Sequence, residues 1–271
     1  MTNPRAHQAK KRFGQNFLHD PGVIRRIIQS IGPEPGQRIV EIGPGQGAIT
    51  RPLLEAVGEL DVVELDRDLI EPLARHCGDV GQLRIHNTDA LKFDFCSLVE
   101  PPAKLRVVGN LPYNISTPLL FHLLDQSHCI EDMHFMLQKE VVERMAAPPG
   151  NKTYGRLSVM VQVRCRVTPL FTIGPGAFQP RPKVDSMLVR LEPYTAPVVP
   201  IEDFEVFSHV VNQAFSHRRK TLRNALRSLL TEAQIVVLGI DPALRPERLD
   251  IAQFARLANS ACRRDEISPL E

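Results

Sequence analysis

Apolar positions along the first two thirds of the chain follow two alternating rhythms. Short β-rich runs, RIVEI (38–42), LDVVEL (60–65), LRIHN (83–87), LRVVGN (105–110) and MHFMLQ (133–138), read as buried strands. Between them, stretches such as AITRPLLEAV and STPLLFHLLD space their apolar residues at the helical period. Strands separated by crossover helices predict a mostly parallel sheet covered on both faces. Ahead of the first run, Asp20 and Pro21 predict the N-cap and first position of the helix GVIRRIIQSI, which Gly32 ends.

The rhythm changes near residue 195. YTAPVVPIED holds two prolines within a few residues, and FEVFSHVVNQAF, TLRNALRSLL and IAQFARLANSA then keep a helical period with no further strand signal. The pattern predicts an α/β domain over residues 1–197 and a small all-helical domain over 198–271.

Composition narrows the class. No apolar run in the 271 residues approaches the roughly 18 needed to cross a bilayer, and MTNPRAHQAKKRFGQ lacks the apolar segment of a secretory signal. A cytoplasmic protein without a membrane partner is expected. The five cysteines form no CxxC pair and the nine histidines no HExxH, so reduced thiols and no metal are expected. Nothing in the sequence suggests more than a monomer. The net charge of +2 is unremarkable, but its distribution is not. Arg5, Lys10, Lys11 and Arg12 form one cluster without an acid, and Arg218, Arg219, Lys220, Arg223 and Arg227 form a second. Both suit a phosphate backbone, although a solvated tail and helix face would look the same.

Candidate chemistry begins at VEIGPGQGAIT (40–50), a strand running into a glycine-rich turn and a helix. Gly43, Gly45 and Gly47 allow a sharp bend and a close backbone approach to a ligand. The spacing is GxGxG, which matches neither the dinucleotide fingerprint nor a phosphate-cradling loop. Glu64, at the end of the next strand, is placed to accept both ribose hydroxyls. Asp89, past the third, is placed to meet an adenine amine. A nucleoside pocket without phosphate chemistry favours S-adenosylmethionine over NAD or ATP, with Glu41, Gly43 and FGQNFL around its amino-acid end.

GNLPYNIST (109–117) ends the fourth strand with no group that titrates near neutral pH. An exocyclic amine on a base needs no prior deprotonation. The Asn110 amide oxygen and the backbone carbonyl beside Pro112 can accept its two N–H bonds, and the Tyr113 ring can stack on the base. Phe178, followed by Pro180 and Pro182, is a candidate second ring, with Arg181 and Lys183 beside it for phosphate.

KKRFGQNFLHD, VEIGPGQGAIT, VVELDRDL, GNLPYNISTPLLFHLL, MLQKEVVERM, YGRLSVMVQ and FQPRPKVDSMLVRL, in that order, resemble the ribosomal RNA adenine N6,N6-dimethyltransferase family, in particular its bacterial small-subunit members. The resemblance implies a Rossmann-like class I S-adenosylmethionine-dependent methyltransferase domain with a small all-helical C-terminal domain that contacts rRNA. It implies dimethylation of two adjacent adenosines in the 3′-terminal hairpin loop of 16S rRNA, on immature 30S subunits, late in small-subunit biogenesis. The family's cofactor contacts fall on Asn16, Leu18, Gly43, Glu64, Asp89 and Asn110. Its target-base motif falls on Asn110, Leu111, Pro112 and Tyr113, with Phe178 as the second ring. Two other readings compete: a large-subunit rRNA adenine methyltransferase of the macrolide-resistance type, and a mainly non-catalytic ribosome-assembly factor.

Overall fold

Asp20 starts the first helix as its side chain predicts. In the computed structural model, which describes residues 15–217 and 219–267, its carboxylate accepts the N–H groups of Gly22 and Val23 at 2.8 and 2.9 Å. Pro21 opens the helix, and Gly32 closes it at φ 57°, where a side chain would be strained. The elements that follow strand β1 (Phe17–Leu18) and this helix α1 (Pro21–Ile31) are β2 (Arg38–Ile42), α2 (Thr50–Val57), β3 (Glu59–Val63), α3 (Arg67–Cys77) and β4 (Gln82–His86). Then come β5 (Leu105–Asn110), α4 (Ser116–Asp125), β6 (Ile130–Gln138), α5 (Lys139–Ala146) and α6 (Arg156–Gln162). Strands β7 (Cys165–Ile173), β8 (Phe178–Gln179) and β9 (Ser186–Pro193) precede the last helices, α7 (Phe204–Phe215), α8 (Leu222–Ala225), α9 (Glu232–Val237) and α10 (Ile251–Ile267).

Seven strands form one sheet in the order β4-β3-β2-β5-β6-β9-β7. The first five, β4 to β6, pair in parallel, and β9 runs antiparallel to β6. The core is built from strand interiors such as Val40, Val62 and Val107 and from the helix faces of Ile27, Leu53 and Leu73, all essentially buried. β1 pairs with β8 outside this sheet, with Leu18 opposite Phe178. Among the described residues, no helix is long and apolar enough to cross a membrane.

The chain divides into two compact units. One comprises the residues up to Val142 with Thr168–Pro193, and the other Glu143–Val167 with the residues from Tyr194 on. The second unit therefore takes in 143–167 as well as the segment beyond the expected boundary near 197. It is helical and closes around Phe207, Val211, Leu222, Phe254 and Leu257, all fully buried. Asp203 caps α7 by accepting from the backbone N–H groups of Glu205 and Val206.

The cysteine expectation needs correction. Cys96 and Cys129 are joined in a disulfide with Cα atoms 5.5 Å apart, while Cys77, Cys165 and Cys262 are outside any disulfide. The pair spans 33 residues, so no local spacing betrays it. The turn after β4 and the turn before β6 meet only once β5 and α4 are in place. His128 Nε2 lies 3.3 Å from Cys96 Sγ, so a Cys2His group exists that the sequence did not flag, its sulfurs bonded to each other here.

Candidate active site

Strand order reverses between β2 and β5: the chain builds outward through β3 and β4, then returns to lay β5 on the other side of β2. Crossover connections diverge at such a point and leave a crevice at the strands' carboxyl ends. A cavity of about 340 Å³ lies there. Of the residues expected at the site, Asn16, Leu18, Gly43, Glu64, Asp89, Asn110, Leu111, Pro112 and Tyr113 all line it.

Its floor is the turn after β2. Gly43 and Gly45 take φ of 67° and 57°, and a Cβ on Gly45 would come within 3.0 Å of the Phe17 ring. Only glycine satisfies both conditions. The loop is pinned to β3 where the Gly43 N–H donates to the Val63 carbonyl at 2.9 Å. Just before the turn, Glu41 is 1% exposed and its Oε2 has no hydrogen-bond partner. Burial pushes its carboxyl up to about 8, opposed by the Thr50 hydroxyl and helped by the Glu64 charge. A buried carboxyl that lines a cavity with one oxygen left unsatisfied suits a cationic group.

Glu64 follows β3, which ends at Val63 and not at residue 65 as the apolar run suggested. Its Oε1 accepts the Asp66 N–H at 2.7 Å and its Oε2 the Gly45 N–H at 3.4 Å, which holds the carboxylate at the rim with lone pairs to spare. Burial raises its pKa, opposed by the Asp66 N–H. Asp89 caps a short turn by accepting the Leu91 N–H at 3.0 Å on Oδ1 and lines the same cavity. The half-exposed Leu65 adds an apolar wall that the sequence reading did not include.

Asn110 is the last residue of β5. Its Nδ2 donates to the Asn16 carbonyl at 2.8 Å, and a carbonyl can only accept, so the amide orientation is fixed. Its Oδ1 has no partner among the described residues. The Leu111 carbonyl, ahead of Pro112, likewise receives no N–H from them. Two neutral acceptors therefore face one cavity. Tyr113 is half-buried, and its hydroxyl lies 2.8 Å from the Ser186 Oγ. Burial pushes its phenol up, with the Ser186 contact opposing.

Phe178 stands apart. It is 1% exposed, packs in the apolar core and does not line the cavity. Pairing of β8 with β1 turns its ring inward, so the structure corrects the expectation of an open second ring face. Arg181 and Lys183 are exposed nearby in sequence. Arg219, Arg223 and Arg227 are exposed in the helical unit, where Arg223 pairs with Glu232 at 3.3 Å. The cluster within residues 1–12, and Arg218, lie outside the described residues. Ser186 was missed at the sequence level, since nothing in PKVDS announces a contact with a residue 73 positions away.

Known proteins resemble the chain along nearly its whole length. The profile of the family described as ribosomal RNA adenine dimethylase matches residues 6–262. The chain is similar to a Ribosomal RNA small subunit methyltransferase A from Pseudomonas aeruginosa, 60% identical over 96% of this chain and 97% of that one. A relative of the same name from Nitrosococcus oceani is 57% identical over 94% and 97%. Among solved structures, a dimethyladenosine transferase from Plasmodium falciparum superposes with a TM-score of 0.76 at 26% identity, covering 92% of this chain and 98% of that one. The 23S rRNA methyltransferase ErmE, at 23% identity and a TM-score of 0.72, covers 91% and 100% and shows the shared fold.

Proposed function

The chain belongs to the ribosomal RNA adenine dimethylase family, and from that premise we propose how its cavity carries out the reaction. The protein is an S-adenosylmethionine-dependent methyltransferase that dimethylates adenine N6 in small-subunit rRNA. The residues fit that donor: the Glu41 carboxyl, with its Oε2 unsatisfied, suits its ammonium group, Glu64 the ribose hydroxyls, and Asp89 with Leu65 the adenine. When bound, it supplies an electrophilic methyl on a sulfonium.

The target amine is a poor nucleophile because its lone pair is delocalised into the ring. Asn110 Oδ1 and the Leu111 carbonyl accept its two N–H bonds, which favours a pyramidal nitrogen with its lone pair turned toward the methyl. Both acceptors are neutral and held by the fold, so they act by preorganised electrostatics and positioning. The Tyr113 ring holds the unstacked base, a contact worth about 1 to 3 kcal/mol. Once the nitrogen is cationic its proton leaves to water, and a second pass gives the dimethylated base. The amide of Asn110, fixed by Asn16 with its oxygen left over, is the observation that carries this reading.

We propose further that the substrate is a pair of adjacent adenosines in the 3′-terminal hairpin loop of immature 30S subunits, met by a cytoplasmic monomer. The exposed Arg219, Arg223 and Arg227 would contact rRNA phosphates. Labelled methyl donor incubated with purified subunits tests the reading. Label should enter adenine of unmethylated small subunits, and transfer to large subunits alone would refute it.

A further inference from the structure

Ser186 is the first residue of β9, pairs with Gln138 at the end of β6, and is 1% exposed. Next to it, the Lys139 N–H donates to the Asp185 carbonyl at 3.0 Å, so the backbone around Ser186 is held by the sheet. A hydroxyl buried at such a place needs a partner, and an alanine would fit there without one. The partner is the Tyr113 hydroxyl at 2.8 Å.

Tyr113 is held less firmly at its own end. It sits in a turn closed by the Ile115 N–H on the Pro112 carbonyl at 3.1 Å and by Ser116 Oγ on the Tyr113 carbonyl at 3.1 Å. Those bonds fix the backbone and leave the side chain free to choose its rotamer. The bond to Ser186 ties the far end of the ring to a rigid strand, so both ends of the ring's long axis are located. A ring that must meet a base face loses rate if it samples other rotamers, because the bound base then spends less time in line with the methyl donor.

We propose that Ser186 is a positioning residue for methyl transfer, acting through its hydrogen bond to Tyr113 to hold that ring in the stacking orientation. The inference rests on the reading of Tyr113 as the base-stacking residue. It assigns the phenol hydroxyl a structural use, so that the hydroxyl makes no contact of its own with the substrate.

A double-mutant cycle tests it. Ser186→Ala and Tyr113→Phe should each lower kcat about three- to tenfold, the size of one neutral hydrogen bond. The double variant should be no slower than the slower single, since both remove the same bond. S-adenosylmethionine affinity and the KM for RNA should stay within about twofold of wild type, and Ser186→Thr should recover most of kcat. With 2-aminopurine at the target position, stacking on Tyr113 quenches its fluorescence, and Ser186→Ala should weaken that quenching. Wild-type kcat in Ser186→Ala, or effects that multiply in the double variant, would overturn the inference. Tyr113→Ala separates the two levels. If it turns over like wild type, the stacking reading falls and the inference with it; if it is crippled while Ser186→Ala is not, the inference alone falls.

Discussion

Strand β5 carries a polar residue at each end, Arg106 near its start and Asn110 at its finish, and the protein treats them in opposite ways. All five N–H donors of the Arg106 guanidinium are used: two bonds to Asp132 at 2.9 and 3.0 Å, one to Gln37, and one each to the Ile31 and Gly32 carbonyls. The last two are carbonyls that the end of α1 leaves without helical partners, and α1 has no basic residue of its own in its last turn. At the other end, Asn110 spends its donor on Asn16 and keeps its acceptor. A polar group saturated by the protein has nothing left to offer a ligand, whereas one fixed but unsaturated does.

The largest expected effect comes from breaking the saturated end. Arg106→Met strands the Asp132 carboxylate, which is 1% exposed, with Arg190 at 3.2 Å as its remaining close cation. Removal of one partner of a buried pair typically costs about 3 to 5 kcal/mol. Chemical denaturation should show a loss of that size. The protein that stays folded should methylate at close to the wild-type rate, and a large fall in kcat at unchanged stability would erase the distinction between the two ends.

The converse experiment acts at the unsaturated end. Asn110→Ala removes the acceptor proposed to meet the reacting amine, and losing one preorganised group of this kind costs about 10²- to 10³-fold in kcat. Denaturation should register only the hydrogen bond to Asn16, about 1 kcal/mol. Single-turnover methylation with saturating cofactor and RNA measures the chemical step. Turnover within about threefold of wild type would show that the amide oxygen is not used in it.

Local rules were enough for much of this frame. The Asp20, Pro21 and Gly32 signals placed α1, and the runs at 38–42 and 105–110 gave β2 and β5 with their observed bounds, because central parallel strands are rich in β-branched apolar residues that stand out even around a Glu41 or an Arg106. The residues expected at the cavity rim were legible from strand ends: Asn110 closes β5, while Gly43, Glu64 and Asp89 lie one to three residues beyond the ends of β2, β3 and β4, where adjacent parallel strands converge. β7 and β9 were missed. CRVTPLFTI carries Pro169 and exposes every third residue, with its interior positions only half-buried, and β9 bears Arg190 and Glu192, so neither looks like a buried strand. β6 begins at Ile130, three residues before the apolar run, because Glu131 and Asp132 interrupt the pattern. The contacts that orient the site residues were out of reach. Asn16 reaches Asn110 across 94 positions and Ser186 reaches Tyr113 across 73, distances over which no periodicity carries information.

A third test uses pH at the saturated end. His134 is 2% exposed, and neither ring nitrogen has a partner; its Nδ1 is 3.8 Å from Asp132. Burial lowers its pKa to about 4, with the Asp132 charge opposing and Arg106 adding to the shift. A depressed pKa means that the unfolded chain binds the proton first. The stability contribution is therefore present above about 6.5 and lost as pH falls toward 4. Between pH 7 and 5 the loss from this residue alone should be on the order of 2 kcal/mol. His134→Leu should flatten that part of the stability curve, and an unchanged slope would mean that the imidazole does not stay neutral when folded.

Glu41 is the counterpart at the unsaturated end, and its pH dependence has the opposite sign. Its folded pKa, raised to about 8, lies above the ordinary 4.5, so its contribution to stability is full below 4.5 and disappears as pH rises through about 8. A carboxyl with that pKa is neutral at pH 7 before the cofactor binds. An ammonium group arriving beside it favours the ionised form, so cofactor binding should expel a proton. Affinity for S-adenosylmethionine should then rise by up to about fivefold between pH 7 and 8. Calorimetry in buffers of different ionisation enthalpy measures the released proton directly. Glu41→Gln should bind more weakly, release none, and lose the pH dependence. If the wild type releases no proton, Glu41 is as self-contained as Arg106, and the contrast between the two ends of the sheet would rest on Asn110 alone.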